Sequence, residues 1–255
     1  FEALIASTQN LTKSEHHKVL DAKIRGLLDL DENSLRSLRY DSHRKKAGQA
    51  LLLMNVLTVQ GASSSQERYS FREHASRKWS LEHIHAQNAE DLNRADQWRV
   101  WLGLHAGALA DLPTSQVPAR DELVAEVEDL LLRDQANGKN SSLTQQTFRE
   151  YQSRLVQFFS EGAESDDVHS IANLALLSSA DNSSISNSAF EVKRRDILVR
   201  DRNGSYIPVC TRNIFLKYYS TAAGQQLHFW GPQDRADYLE AIVAALKPYL
   251  TSEAS

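Results

Sequence analysis

Cysteine is almost absent from this sequence. Its single occurrence, Cys210, excludes an internal disulfide and any zinc site built on several thiolates. Proline (5) and glycine (10) are scarce among the 255 residues, and aromatic residues make up only 8%. Few turn formers and many Leu, Ala, Arg and Glu favour helix. No apolar run approaches the roughly 20 residues of a membrane span, and the opening Phe1-Glu-Ala-Leu-Ile-Ala-Ser7 lacks the basic stretch of a secretory signal. A Gly-rich phosphate-binding loop is missing as well. A cytoplasmic protein without membrane contact is expected. Because the first residue is Phe, the chain is read as a fragment, the C-terminal part of something longer.

Excess positive charge is also lacking. Lys and Arg number 29 against 33 Asp and Glu, a net charge of −4. That counts against nucleic-acid binding, for which a basic footprint is expected. Local clustering of charge, a bound divalent metal, or an absent N-terminal part that binds DNA would each weaken the objection.

Hydrophobic spacing predicts helices over residues 11–30, 33–60, 89–105, 120–135, 147–160, 186–195 and 234–250. On or near one face of the third lie Trp98, Val100, Trp101 and Leu104, and the Trp98/Trp101 pair is read as core. Lys78–His85 alternates as a short strand does. Residues 171–178 are apolar enough for strand or buried helix, and their length favours strand. Loops are read at 61–65, 137–142 and 161–167, and a turn at Arg202-Asn-Gly-Ser205.

Two segments carry chemistry: Trp79-Ser-Leu-Glu82-His83-Ile-His85-Ala-Gln87 and Asn173-Leu-Ala-Leu-Leu-Ser-Ser-Ala-Asp-Asn182-Ser-Ser-Ile-Ser-Asn187-Ser-Ala-Phe190-Glu-Val-Lys193-Arg194-Arg195. A phosphodiester hydrolase must deprotonate water near neutral pH, for which histidine is suited, and must meet negative charge with a cation, typically a divalent metal on oxygen ligands. His83, Glu82 and Asn182 supply those residue types.

The Glu-His-Ile-x-x-Gln segment followed by Asn-Leu-x-Leu-Leu, then Asn, Ser-Asn, Phe and Lys, resembles the HNH nuclease domain of GmrSD-type modification-dependent restriction enzymes. Leu38-Arg-Tyr40, Leu51–Val56, Tyr69-Ser-Phe71 and Ile207–Tyr219 resemble it too. The resemblance implies a mostly α (α+β) chain, a helical domain around a split ββα-metal core. Residues 1–60 form an N-terminal helical region and 61–255 the nuclease domain. Its core lies at about 76–90 and 168–200, a helical insertion at 90–165, and a last helix at 234–250.

It also implies a metal-dependent DNA endonuclease, nicking in its simplest action, in a bacterial anti-phage restriction protein. His83 would be the base, with Glu82 and Asn182 beside it in the catalytic set. Glu82, Asn182 and Asn187 would hold Mg²⁺ or Mn²⁺, and Lys193 would contact phosphate. Arg194, next to it in the basic run, and His85, two residues on from His83 and so on the same strand face, are read from position as further DNA contacts. An N-terminal sensing and nucleotide-hydrolysing domain would be the missing partner, and oligomerisation stays open. Ala86 stands where the family often has Pro, and His85 is outside its pattern.

Each residue also has a plainer reading. His83 fits an ordinary strand histidine, Glu82 an exposed strand charge, Asn182 a turn residue, Lys193-Arg194-Arg195 a solvated helix face, and Asn173 a structural bond to the backbone. Arg72, Arg77 and Lys78 fit either a basic surface or charges guarding a strand edge. The rival function is a non-catalytic HNH-like nucleic-acid-binding or regulatory module.

Overall fold

The computed structural model describes residues 8, 10–61, 68–76, 79–85, 92–112, 116–136, 143–159, 168–178, 188–220 and 227–252. Helix α1 (Lys13–Leu28) starts from a capping box: the Glu15 N–H donates to Thr12 Oγ1 at 3.3 Å and the Thr12 N–H to Glu15 Oε2 at 2.8 Å. It stops at Asp29, which is left-handed with φ 44°. In the short α2 (Glu32–Arg36), Asp31 Oδ1 caps the Ser34 N–H at 2.7 Å.

One continuous helix over 33–60 is not what forms. After α2 the chain extends at Leu38–Arg39 and bridges to a distant segment. The Ile171 N–H donates to Leu38 O at 2.9 Å and the Tyr40 N–H to His169 O at 2.8 Å. The helix then resumes as α3 (Tyr40–Gly61), kinked at His43 and burying Ala47, Ala50, Leu51 and Met54. The short α4 (Phe71–Ser76) follows, then strand β1 (Trp79–His83).

Among the described residues three helices separate β1 from its partner: α5 (Ala95–Ala110), α6 (Val117–Ala136) and α7 (Gln145–Phe159). They pack on one another through Trp98, Trp101, Leu109, Val127, Phe148 and Leu155. Trp98 and Trp101 are core residues, as the spacing predicts. Val100 and Leu104, by contrast, are 60% and 45% exposed. The stripe on α5 is narrower than its apolar content suggests.

A 3₁₀ turn (Ile171–Asn173) leads into β2 (Leu174–Ser178), which pairs antiparallel with β1 in the register Trp79↔Ser178, Leu81↔Leu176, His83↔Leu174. All five β2 residues are buried. Its outer edge needs donors for its carbonyls, and side chains supply them: Thr211 Oγ1 donates to Leu176 O at 2.6 Å and the Tyr238 hydroxyl to Leu174 O at 3.2 Å.

Beyond β2 come α8 (Phe190–Arg202), a turn with Gly204 at φ 77°, and α9 (Val209–Phe215). The last long helix is α10 (Pro232–Leu246), with a 3₁₀ turn (Lys247–Tyr249) after it. The described residues are mostly α-helical with one two-stranded sheet, as expected. A single hydrophobic cluster joins Leu35, Leu51 and Met54 to Leu174, Phe190 and Trp230, so the first helices share a core with the sheet.

Candidate active site around His83

His83 is the last residue of β1, opposite Leu174, and its ring is half-buried. Its Nε2 lies 3.2 Å from Nδ1 of His169. The two rings meet edge-on at 5.3 Å, and the Tyr40 ring covers both, 4.6 Å from His83 and stacked at 6.1 Å on His169. The Arg44 guanidinium sits 4.8 Å above the Tyr40 ring. Burial pushes the His83 pKa down to about 4, and the positive charges of Lys193 and Arg44 push the same way. His83 is therefore neutral at pH 7, the form able to take a proton.

Glu82 alternates to the other side of β1 and is 7% exposed. It meets Lys193 of α8, whose side chain is fully buried; the ammonium donates to Glu82 Oε1 and to the His83 carbonyl. Burial pushes the Lys193 pKa down, and the Glu82 carboxylate offsets only part of that. The expected phosphate-contacting lysine is thus inside the protein, holding the end of β1. Arg194 is also occupied: its Nε donates to Phe215 O at 3.1 Å, and it lies 3.7 Å from Glu191.

His85 is 4% exposed rather than on a surface facing DNA. The strand ends at His83, and the chain then turns inward. Two buried histidines cap α8: the Phe190 N–H donates to His85 Nδ1 at 3.2 Å and the Ala189 N–H to His105 Nε2 at 3.0 Å. These N–H groups precede the first helical hydrogen bonds and would otherwise lack acceptors. His105 Nδ1 faces Trp101 O at 2.8 Å, which fixes its tautomer. Burial lowers the pKa of both rings to about 3.

Asn173 is structural, as the plain reading had it. Its Oδ1 accepts from the His85 N–H at 3.1 Å, and its Nδ2 donates to His85 O and Val168 O, each at 2.9 Å. It therefore ties the end of β1 to the segment carrying His169.

A groove of about 270 Å³ runs between α3 and β1, lined by Arg44, Lys45 and Gln49 on one side and His74, Trp79 and Leu81 on the other. Arg44 joins it to the Tyr40–His83 cluster. Arg44 and Lys45 of α3 are exposed beside the groove, whereas Lys193 of α8 is buried. A larger cavity of about 430 Å³, bordered by Arg68, Tyr69, Tyr206 and Arg212, contains none of the expected site residues.

Glu82 and His83 are therefore brought to one strand end. Asn182 and Asn187, like Arg77 and Lys78, lie outside the described residues. Sequence reasoning missed His169, Tyr40 and Arg44. For His169 the available signal was a histidine four residues before Asn173, in the lead into the second strand.

The expected metal can be tested against these groups. A carboxylate with two amide oxygens is a fitting donor set for a hard divalent ion. Of that set only Glu82 is described, and its charge is already met by Lys193. No group of three or more His, Cys, Asp or Glu is placed to hold a metal among the described residues. No helix among them is long and apolar enough to cross a membrane.

The family model for GmrSD restriction endonucleases, C-terminal domain, matches residues 29–205, well over half of the chain. No curated protein and no solved structure matches it.

Proposed function

This chain belongs to the family of GmrSD restriction endonucleases, C-terminal domain, and from that premise we propose that it is the DNA-cutting part of a modification-dependent restriction protein. The observation that carries the reading is His83: a histidine kept neutral at a strand end, with one ring nitrogen held by a neighbour and the other without a partner among the described residues. A ring nitrogen with an unshared pair and no partner is what a general base needs.

In this reading β1, β2 and α8 form a ββα core split by the three-helix insertion. His83 removes a proton from water as the water oxygen bonds to phosphorus. The P–O3′ bond breaks, and the leaving oxygen takes a proton from solvent. Bound Mg²⁺ or Mn²⁺, held by Glu82 with Asn182 and Asn187, would supply positive charge against the scissile phosphate. Lys193 sets the position of Glu82, and Arg44 and Lys45 contact the DNA backbone. One active site per chain makes a nick the elementary product.

Relaxation of supercoiled plasmid with Mg²⁺ or Mn²⁺ tests this, comparing wild type with His83→Ala. Wild type is expected to produce open circles, and His83→Ala to lose at least about 100-fold in rate. Equal rates would remove His83 from the mechanism. Failure of wild type with every divalent ion would leave a non-catalytic module.

A further inference from the structure

We propose that His169 is a positioning residue for His83: its Nδ1 accepts a hydrogen bond from His83 Nε2–H and so leaves His83 Nδ1 as the lone pair that takes the proton from water. The proposal rests on the reading of His83 as the base and assigns the group that orients it.

Two facing imidazole nitrogens attract only if one carries hydrogen and the other does not. His83 Nε2 and His169 Nδ1 are 3.2 Å apart, so the pair has two possible arrangements. If His169 were the donor, the His83 lone pair would be consumed at Nε2. Its Nδ1–H would then point where no acceptor stands among the described residues. If His83 is the donor, the pairing is satisfied and an unprotonated Nδ1 is left open. Only the second arrangement yields a base.

The backbone around His169 is fixed from several directions. Its carbonyl accepts the Tyr40 N–H at 2.8 Å, the neighbouring Val168 carbonyl accepts from Asn173 Nδ2 at 2.9 Å, and the Ile171 N–H donates to Leu38 O at 2.9 Å. Tyr40 then covers both rings from one side. The histidine is therefore held in place by the break between α2 and α3, which is why that break matters to the site. A base oriented by a third group is the usual arrangement in nucleophile activation; here an imidazole fills that place and adds no negative charge to a site that must accept a phosphate.

Asparagine separates orientation from packing, because its Oδ1 can occupy the position of the histidine Nδ1. His169→Ala should lower kcat for plasmid nicking about 10- to 100-fold with KM nearly unchanged, and His169→Asn should return it to within about five-fold of wild type. Independently of activity, long-range ¹⁵N–¹H spectra of the histidine rings should show wild-type His83 protonated at Nε2. His169→Asn should preserve that tautomer and His169→Ala should mix the two. Equal losses in the Ala and Asn variants, or wild-type His83 protonated at Nδ1, would overturn the proposal. A wild-type chain with the expected tautomer but no cleavage would overturn the reading of His83 as a base instead.

Discussion

Lys193→Met offers a direct test of how the strand end is held. Met keeps most of the buried stem and removes the ammonium. Glu82, 9% exposed at its side chain, would then be left as a buried carboxylate without a counter-charge, and the His83 carbonyl would lose its donor. Removing one member of a buried pair typically costs about 3–5 kcal/mol. For a chain of this length that corresponds to a fall of roughly 10 °C in Tm. Because burial opposes the Lys193 charge more than Glu82 supports it, removing both charges should be far less harmful. Glu82→Leu/Lys193→Met is expected to be more stable than Lys193→Met alone. Urea unfolding followed by circular dichroism on wild type, both single variants and the double variant gives the cycle. A surface phosphate contact would predict something different: a stability change within about 0.5 kcal/mol and weaker DNA binding. If Lys193→Met shifts stability by less than about 1 kcal/mol, or if the two single losses simply add, the buried-pair account is wrong.

Three further outcomes follow from the same contacts. Folding stability should be complete above about pH 6.5 and fall as the pH drops towards 4, because the unfolded state binds protons that His83 (about 4), His85 and His105 (about 3) refuse in the folded protein. A Tm that is flat or rising from pH 7.5 down to pH 4.5 would contradict this. Asn173→Ala leaves the His85 N–H and the His85 and Val168 carbonyls without their partner, and should cost about 2–4 kcal/mol in urea unfolding; a loss under about 1 kcal/mol would show that water replaces the amide. Arg44→Ala/Lys45→Ala should make the dependence of log Kd on log salt shallower by up to about 2 for duplex DNA, measured by fluorescence anisotropy. An unchanged slope would remove the α3 groove from the DNA path.

What the sequence made legible was what local pattern controls. Amphipathic spacing marks α6, α7 and α10, and the Glu82-His83 strand is marked by alternation and by its motif. The break at 37–39 was not legible, because its cause is a pairing with residues 169–171, far along the chain. His85 illustrates the limit of the two-residue period, which places it beside His83 only while the strand continues; the strand stops at His83. The place of Lys193, by contrast, is legible from local pattern. It lies three residues after Phe190 and four before Ile197, both buried, so helical phase points its stem inward with them. Within Lys193-Arg194-Arg195 that phase, not the run of like charge, separates the buried lysine from its part-exposed neighbours. The sign of a charge says what a residue can pair with; the phase of its helix decides whether the pair is a phosphate or a buried carboxylate. Here it assigns Lys193 to Glu82. For a chain with net charge −4, the proposed contact with DNA then falls to the exposed Arg44 and Lys45 of α3.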